Sequence, residues 1–471
     1  MVHENAQAPV TACDQELALF TDLYEITMLQ AYFEEGMHDT AVFSLFVRRL
    51  PQRRNYLLAC GLDSLLGQLE DLRFGQRDLD YLASLGSFSD RFLRWLDKLQ
   101  FTGDVYAVRE GTPVFANESI LEVVAPLPEA QLVETLVMNQ IHVQTLLATK
   151  AARLVIAAAG RPVLDFGARR IHGLDAAIKG ARAFHIAGVA GTSNLLAGRY
   201  YGVPVRGTMA HSYIQAHDSE TEAFAAFARL YPDTVLLVDT YDTPEGVRRV
   251  VDLAKRLGDD FRVKAVRLDS GDLDALSREA RRILDAAGLE HVDILASGGL
   301  DEDAIHQLVS AEAPINGFGV GTSMGISSDA PDLDIAYKLA EYAGKGRLKL
   351  SSGKPILPGR KQIFREQHDG VFRGDVIGRW HEELPGQPLL SKVMERGRRL
   401  DSHERDLDRM RGNASASLAR LPEAVRALPS ADPDYPVRVS DALAEHQRTV
   451  RDAVAVESPD DPTERQDHAG N

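Results

Sequence analysis

The alternation of apolar and polar positions changes character along the chain. Between about residues 15 and 128, helical stretches mix with strand-like ones. TAVFSLFVRRL and DVYAVREGTPVF alternate as an antiparallel sheet requires, and Gly111 and Pro113 mark a turn. Residues 15–128 are therefore expected to form an α+β unit. From Glu129 to Ala159, apolar residues at Leu132, Leu136, Val143 and Leu147 predict one or two helices. Between Pro162 and Thr322, short apolar runs alternate with helical patterns. The strand candidates are VLDF near 163, FHIAGVA near 186, VPVRG near 203, TVLLVD near 235, RVKAVRL near 263, VDILAS near 292 and INGFGV near 315. The helices between them should begin near Gly173, Ser193, Ser219, Thr243, Gly271 and Asp301. Thr243-Pro244-Glu245 reads as a helix start, with a hydroxyl cap, an early proline and an acid in the first turn.

Repeated strand-then-helix units imply parallel strands joined by crossovers. Closure into an α/β barrel over residues 129–330 is the economical arrangement, although an open doubly wound sheet has the same periodicity. Residues 331–456 return to helix and short strand around the basic turn GKPILPGRKQ. Residues 1–14 read as a loose leader, and 457–471, polar and proline-containing, as a disordered tail.

Length and composition narrow the class. At about 150 residues per domain, 471 residues suit roughly three units or one large barrel with additions. With 53 basic and 69 acidic side chains the net charge is −16, which argues against binding nucleic acid or an anionic membrane. Cys13 and Cys60 are too few for a disulfide scaffold or a cysteine zinc site, and a reducing cytoplasm suits them. The N-terminus has acids where a signal peptide carries positive charge. The longest apolar run, Leu154 to Ala159, is far short of the roughly 20 residues that span a bilayer. A cytoplasmic, soluble protein is expected.

In an α/β barrel the chemistry sits at the C-terminal ends of the strands. After the first strand comes Asp165-Phe166-Gly167-Ala168-Arg169-Arg170, an aromatic face beside a guanidinium fork. Together these could hold an aromatic acid; a strand-end salt bridge is the plainer reading. The third strand ends in GTMAHSY and delivers His211 to the rim. Asp239 and Asp269 end the fourth and fifth strands. Carboxylates there could orient an imidazole or accept ribose hydroxyls; Asp239, Ser270 and Asp272 could equally cap helices. The last two strands end in Ser297-Gly298-Gly299 and Gly319-Val320-Gly321-Thr322. Such turns expose backbone N–H groups, and two in succession suit a phosphate.

At these residues the sequence resembles the nicotinate phosphoribosyltransferase family. The matching stretches are TDLYEITM, FVRRLP, FGARRIHG, GVPVRGTMAHSY, LLVDTYDT, VRLDSGDL, ASGG, GFGVGTS and GKPILPGRKQ, in order from about residue 20 to 365. The resemblance implies an irregular α/β barrel beside a domain built from N-terminal and C-terminal segments, working as a homodimer. It also implies a reaction joining nicotinate to 5-phosphoribosyl 1-diphosphate, coupled to ATP hydrolysis and using magnesium. By the same resemblance His211 would be phosphorylated, Asp239 would partner it, and Asp269 would stand near the ribose hydroxyls and the metal. Phe166 and the neighbouring subunit's copy of Tyr24 would sandwich the pyridine, Arg169 would meet its carboxylate, and Arg267 would line the pocket. Gly298, Gly299, Gly319, Gly321 and Thr322 would hold the 5′-phosphate, with Arg48, Lys354 and Lys361 as looser candidates for diphosphate or ATP. For those three, a role as solvated basic side chains is an equal alternative.

Two other readings stay open on the sequence. A nicotinamide-using relative carries an acid at the second strand to accept the amide, whereas this chain has Gly191-Thr192-Ser193. Ser193 would not repel a carboxylate, which favours the acid as substrate. The quinolinate enzyme fits less well, since a dicarboxylate pocket would want more basic residues. A non-catalytic barrel that binds nicotinate or a nucleotide is the alternative from another class, and the trio His211, Asp239 and Asp269 argues against it.

Overall fold

The alternating segment around residue 40 becomes the centre of a seven-stranded, largely antiparallel sheet. Thr40–Val47 pairs on one side with Ser119–Pro126 and on the other with Ile335–Tyr342. Asp104–Ala107 and Ser391–Glu395 extend the sheet beyond Ser119–Pro126, so the C-terminal part of the chain supplies strands to the N-terminal unit. Ala41, Phe43, Leu45 and Val47, every second residue, enter one core with the helices Leu62–Glu70, Gln76–Ser84 and Asp90–Leu96. The structure is a computed structural model and describes residues 17–350 and 356–457. The expected leader, the expected tail beyond residue 457, and Lys354 lie outside the described residues.

The 129–159 pattern forms two helices, Leu127–Leu132 and the long Glu134–Ala157. The long helix joins two cores. Leu136, Val137 and Ile141 pack with the antiparallel sheet, while Leu147, Ala151 and Leu154 pack with the barrel.

The barrel strands are β1 (Val163–Asp165), β2 (Gly191–Thr192), β3 (Val235–Leu237), β4 (Ala265–Leu268), β5 (Asp293–Ser297) and β6 (Gly317–Val320), all parallel, in the order β2-β1-β6-β5-β4-β3. Val205 adds a single parallel bridge to Thr192 of β2. Among the described residues no pairing joins it to β3. The barrel is therefore irregular, with its seam crossed by residues 206–215.

Two details differ from the sequence reading. The run FHIAGVA does not supply the second strand, because its first three residues end the helix Leu174–Ile186. Phe184 and Ile186 are apolar for burial in the barrel core, and a short buried run has no period that separates helix from strand. The strand itself is the two-residue β2. Helix Thr243–Leu257 is capped by Asp242, whose side chain accepts from Glu245 N at 2.9 Å, and Thr243 is already helical. The C-terminal segment packs on both units. Helix Leu407–Ala419 is pinned to the barrel by Arg411, which donates to the carbonyls of Gly188 (2.8 Å) and Val189 (2.6 Å).

One buried group in the N-terminal unit titrates with a visible consequence. Glu25 lies on the inner side of helix Leu23–Glu35, and burial pushes its carboxyl up to about 8. A carboxyl raised in the folded state stabilises the fold fully below its unfolded value, and that contribution is lost as pH rises through the folded value. Glu25→Gln should therefore match the parent at pH 4–5. Near pH 9 it should be more stable by roughly 1–3 kcal/mol in denaturant titrations. A stability difference that does not depend on pH would refute the assignment.

Candidate active site

The pairing of β1 with β6 (Phe318↔Val163, Gly319↔Leu164, Val320↔Asp165) brings the segment after the first strand against the turn after the last. Asp165 is buried and anchors this junction by accepting from Thr192 Oγ1 (2.6 Å) and Gly167 N (2.8 Å). Phe166 then lies over Gly319, so close that a Cβ there would stand 2.5 Å from the ring. Arg267, from β4, has its guanidinium 5.7 Å from the centre of the same ring and donates to Met209 O at 3.0 Å. Burial, with Arg169 nearby, holds the Arg267 guanidinium below its ordinary value, and its Nε is buried without a partner.

These residues line a cleft of about 1110 Å³. Of the residues expected at the site, Phe166, Arg169, Ser193, His211, Arg267, Asp269, Gly298, Gly299, Gly319, Gly321 and Thr322 all line it. Arg170 and Arg206 join them. The expected third strand, VPVRG, forms only the single bridge at Val205; Arg206 follows it and donates its N–H to Thr192 O at 2.9 Å, so that bridge places an arginine not among the residues expected at the site.

His211 opens the short helix His211–Gln215. Its Nδ1 is 3.0 Å from Thr240 Oγ1, and its Nε2 is 3.7 Å from Asp269 Oδ2. Asp239, expected as the imidazole's partner, has a different task. One of its carboxylate oxygens accepts from Asp269 N (2.9 Å) and Ser270 Oγ (2.6 Å), so it shapes the turn that carries Asp269. Ser297 Oγ donates to the other oxygen of Asp269 at 2.5 Å. Asp272 caps the next helix, as its plainer reading had it. Thr240 and Ser297 lie within the LLVDTYDT and ASGG stretches, and only the folded geometry reveals their contacts.

The two glycine turns meet the cleft with backbone. Gly298 has φ +87°, and a Cβ there would collide with Asp269 O at 1.8 Å. Both turns leave room for a group that accepts from N–H donors.

The looser candidates fall elsewhere. Lys361 is 3% exposed; its ammonium donates to Gly359 O (2.8 Å) and pairs with Glu122, so it serves the fold and is not free for a phosphate. Arg48 pairs with Asp334 at 2.9 Å beside the antiparallel sheet. Tyr24 is 46% exposed on helix Leu23–Glu35 and does not line its own chain's cleft.

An aromatic platform beside guanidinium groups, facing two glycine turns across a histidine and a carboxylate, defines an α/β-barrel enzyme that handles a planar acid and a phosphate. Comparison with known proteins agrees. Residues 19–142 match the nicotinate phosphoribosyltransferase N-terminal domain, and 162–374 match the nicotinate phosphoribosyltransferase family. A nicotinate phosphoribosyltransferase of Mycobacterium tuberculosis is 57% identical over 441 residues, covering 94% of this chain and 95% of that protein. One from Bacillus subtilis (strain 168) is 42% identical over 387 residues, covering 80% and 79%. The crystal structure of human nicotinic acid phosphoribosyltransferase superimposes with a TM-score of 0.82 at 28% identity, covering 91% of this chain and 99% of that one. The chain belongs to the nicotinate phosphoribosyltransferase family. No helix among the described residues is long and apolar enough to cross a membrane.

The contact between Phe166 and Gly319 can be tested directly. Gly319→Ala must displace the ring, and kcat/KM for the pyridine substrate should fall by at least about tenfold while Tm changes little. Kinetics like those of the parent would show that the platform does not need this contact.

Proposed function

We propose that this protein transfers the phosphoribosyl group of 5-phosphoribosyl 1-diphosphate to nicotinate, releasing diphosphate, with ATP hydrolysed alongside. The observation that carries this reading is the single cleft that gathers Phe166, Arg169, Arg267, His211, Asp269 and both glycine turns. Phe166 offers the ring a stacking face, Arg169 and Arg267 meet the carboxylate, and the turns receive the 5′-phosphate. The pyridine nitrogen attacks the ribose carbon bearing diphosphate; the new C–N bond forms as the C–O bond breaks, and diphosphate leaves with the electron pair. In the coupled step His211 takes the terminal phosphoryl group of ATP, leaving ADP, and later gives it to water as phosphate.

The donors at the cleft are oxygen ligands of the kind magnesium prefers, and Asp269, half-exposed towards it, is the carboxylate placed to share that ion with substrate phosphates. Bound there, magnesium would neutralise phosphate charge. Asp239, whose second carboxylate oxygen is buried without a partner, keeps the Asp269 turn in position for this. Acid is favoured over amide at the second strand, where Ser193 lines the cleft without a carboxylate's repulsion. The site is completed, in this reading, by Tyr24 of a second copy of the chain in a homodimer, since in its own chain that ring lies away from the cleft. A cytoplasmic location accords with the composition.

Diphosphate release should require nicotinate, should be faster with ATP, and should be much slower with nicotinamide. His211→Ala should abolish ATP hydrolysis and acid-labile labelling from γ-labelled ATP. Arg169→Ala should lower kcat/KM for nicotinate about tenfold to a hundredfold and spare nicotinamide. Label kept by the alanine variant, or equal losses for both pyridines, would overturn the respective assignment.

Sharing of the site is checked by mixing inactive Tyr24→Ala and His211→Ala chains under conditions of subunit exchange. Mixed dimers should regain activity through one intact site. Exchange confirmed by tagged subunits but without recovery would rule out the shared arrangement.

A further inference from the structure

The glycine turns contain no lysine or arginine, and the ladder between β5 and β6 ends at Ser297↔Gly319, where the turns begin. Beyond that point nothing in the sheet fixes the distance between them. Behind the turns, however, lies a buried ionic cluster that the reaction itself does not use. Glu302 opens the helix Glu302–Ser310 directly after the first turn, and Asp329 follows the second turn by a few residues. One side chain holds both: Lys150 Nζ donates to Glu302 Oε2 and, at 2.7 Å, to Asp329 Oδ1.

The surroundings make this bridge stiff. Lys150 and Glu302 are 1% and 2% exposed. Arg153, one turn along the same long helix, donates from Nε to Glu302 Oε1 at 2.9 Å. Arg54 forks onto Asp329 at 2.8 and 3.0 Å. Burial alone would raise the Glu302 and Asp329 carboxyls, yet these cations hold both below their ordinary values. Three cations face two carboxylates, so the cluster keeps a net positive charge on the protein side of the turns. The long helix that carries Lys150 and Arg153 also joins the two cores, which makes it a rigid reference for both turns.

We propose that Lys150 is a positioning residue for the substrate phosphate: by tying Glu302 to Asp329 it sets the gap between the two glycine turns that receive it. The inference rests on the function proposed above and adds to it a residue that never touches the substrate. Lys150, Glu302 and Asp329 do not line the cleft, so loss of the bridge removes none of the groups that line it and acts through the gap between the turns.

The test uses full-length Lys150→Met, in which Glu302 keeps Arg153 and Asp329 keeps Arg54, and Lys150→Met/Glu302→Gln, which removes one charge of each sign. The KM for 5-phosphoribosyl 1-diphosphate should rise by about tenfold to a hundredfold, with kcat and the KM for nicotinate within about threefold of the parent. Lys150→Arg, which keeps the charge, should recover part of the loss. Calorimetric binding of ribose 5-phosphate, which needs no turnover, should weaken in parallel. Unchanged KM and binding in the variants, or a fall in kcat with KM unchanged, would overturn the proposal. A parent protein that binds ribose 5-phosphate but releases no diphosphate with nicotinate would instead count against the proposed function, leaving the Lys150 comparison intact. If Lys150→Met fails to fold, the double variant decides alone.

Discussion

The site depends on the pairing of the first barrel strand with the last. Three residue pairs, Val163 with Phe318, Leu164 with Gly319 and Asp165 with Val320, join segments more than 150 positions apart. Closing so long a loop costs entropy that the pairing alone does not offset, and the buried side chains of β1 and β6, Val163, Phe318 and Val320 among them, supply the difference. From that junction the chemistry follows. Phe166 leaves the first strand where β6 has only a glycine, so its ring settles onto the sheet. Arg267 reaches the same ring from β4, and the turn after β6 arrives beside both.

Electrostatics constrain the rest of the molecule in a similar way. Arg182 on the barrel helix Leu174–Ile186 pairs with Glu110 of the N-terminal unit, Arg365 with Asp375, and Lys361 with Glu122, all in the interior. A buried pair gives little net stability over apolar residues of the same volume, but removing one partner strands a charge at a cost of several kcal/mol. Such pairs therefore act as keys. Glu110 also accepts from Gly61 N and Leu62 N, so one carboxylate fixes a helix start, an arginine and the seam between two cores. Lys361 belongs to this group, and its burial explains why a basic residue in a motif-bearing turn does not reach the cleft.

Much of this was legible in the sequence, and the exceptions have physical causes. Strand ends could be placed because β3, β4, β5 and β6 are short apolar runs closed by polar or glycine residues, and the barrel rule converts those ends into one rim. The cap at Asp242 and the helical course of Phe184 to Ile186 were hidden, since adjacent polar residues compete for a cap and a buried run has no period. Partner choice was hidden as well. Asp239 and Thr240 are neighbours in the chain, and either could face His211; only the direction of the turn after β3 gives the imidazole to Thr240 and the carboxylate to Asp269 N. Motif spacing records which residues reach a site and leaves open which atoms meet there.

The distribution of charge carries the argument one step beyond the fold. A chain with a net charge of −16 should repel anionic substrates at long range, yet the cleft gathers Arg169, Arg170, Arg206 and Arg267. Among the described residues none of the four forms an ion pair with a carboxylate, in contrast to Arg48, Arg53, Arg54, Arg153 and Arg182 elsewhere. Guanidinium groups without a carboxylate ion pair, gathered in a concave site, concentrate positive potential where ligands enter. A net-negative exterior opposes the approach of a large polyanion, while small anions that enter the cleft meet a local field of opposite sign. Shape and charge together therefore favour a small anion at this cleft before any contact with Phe166 or His211.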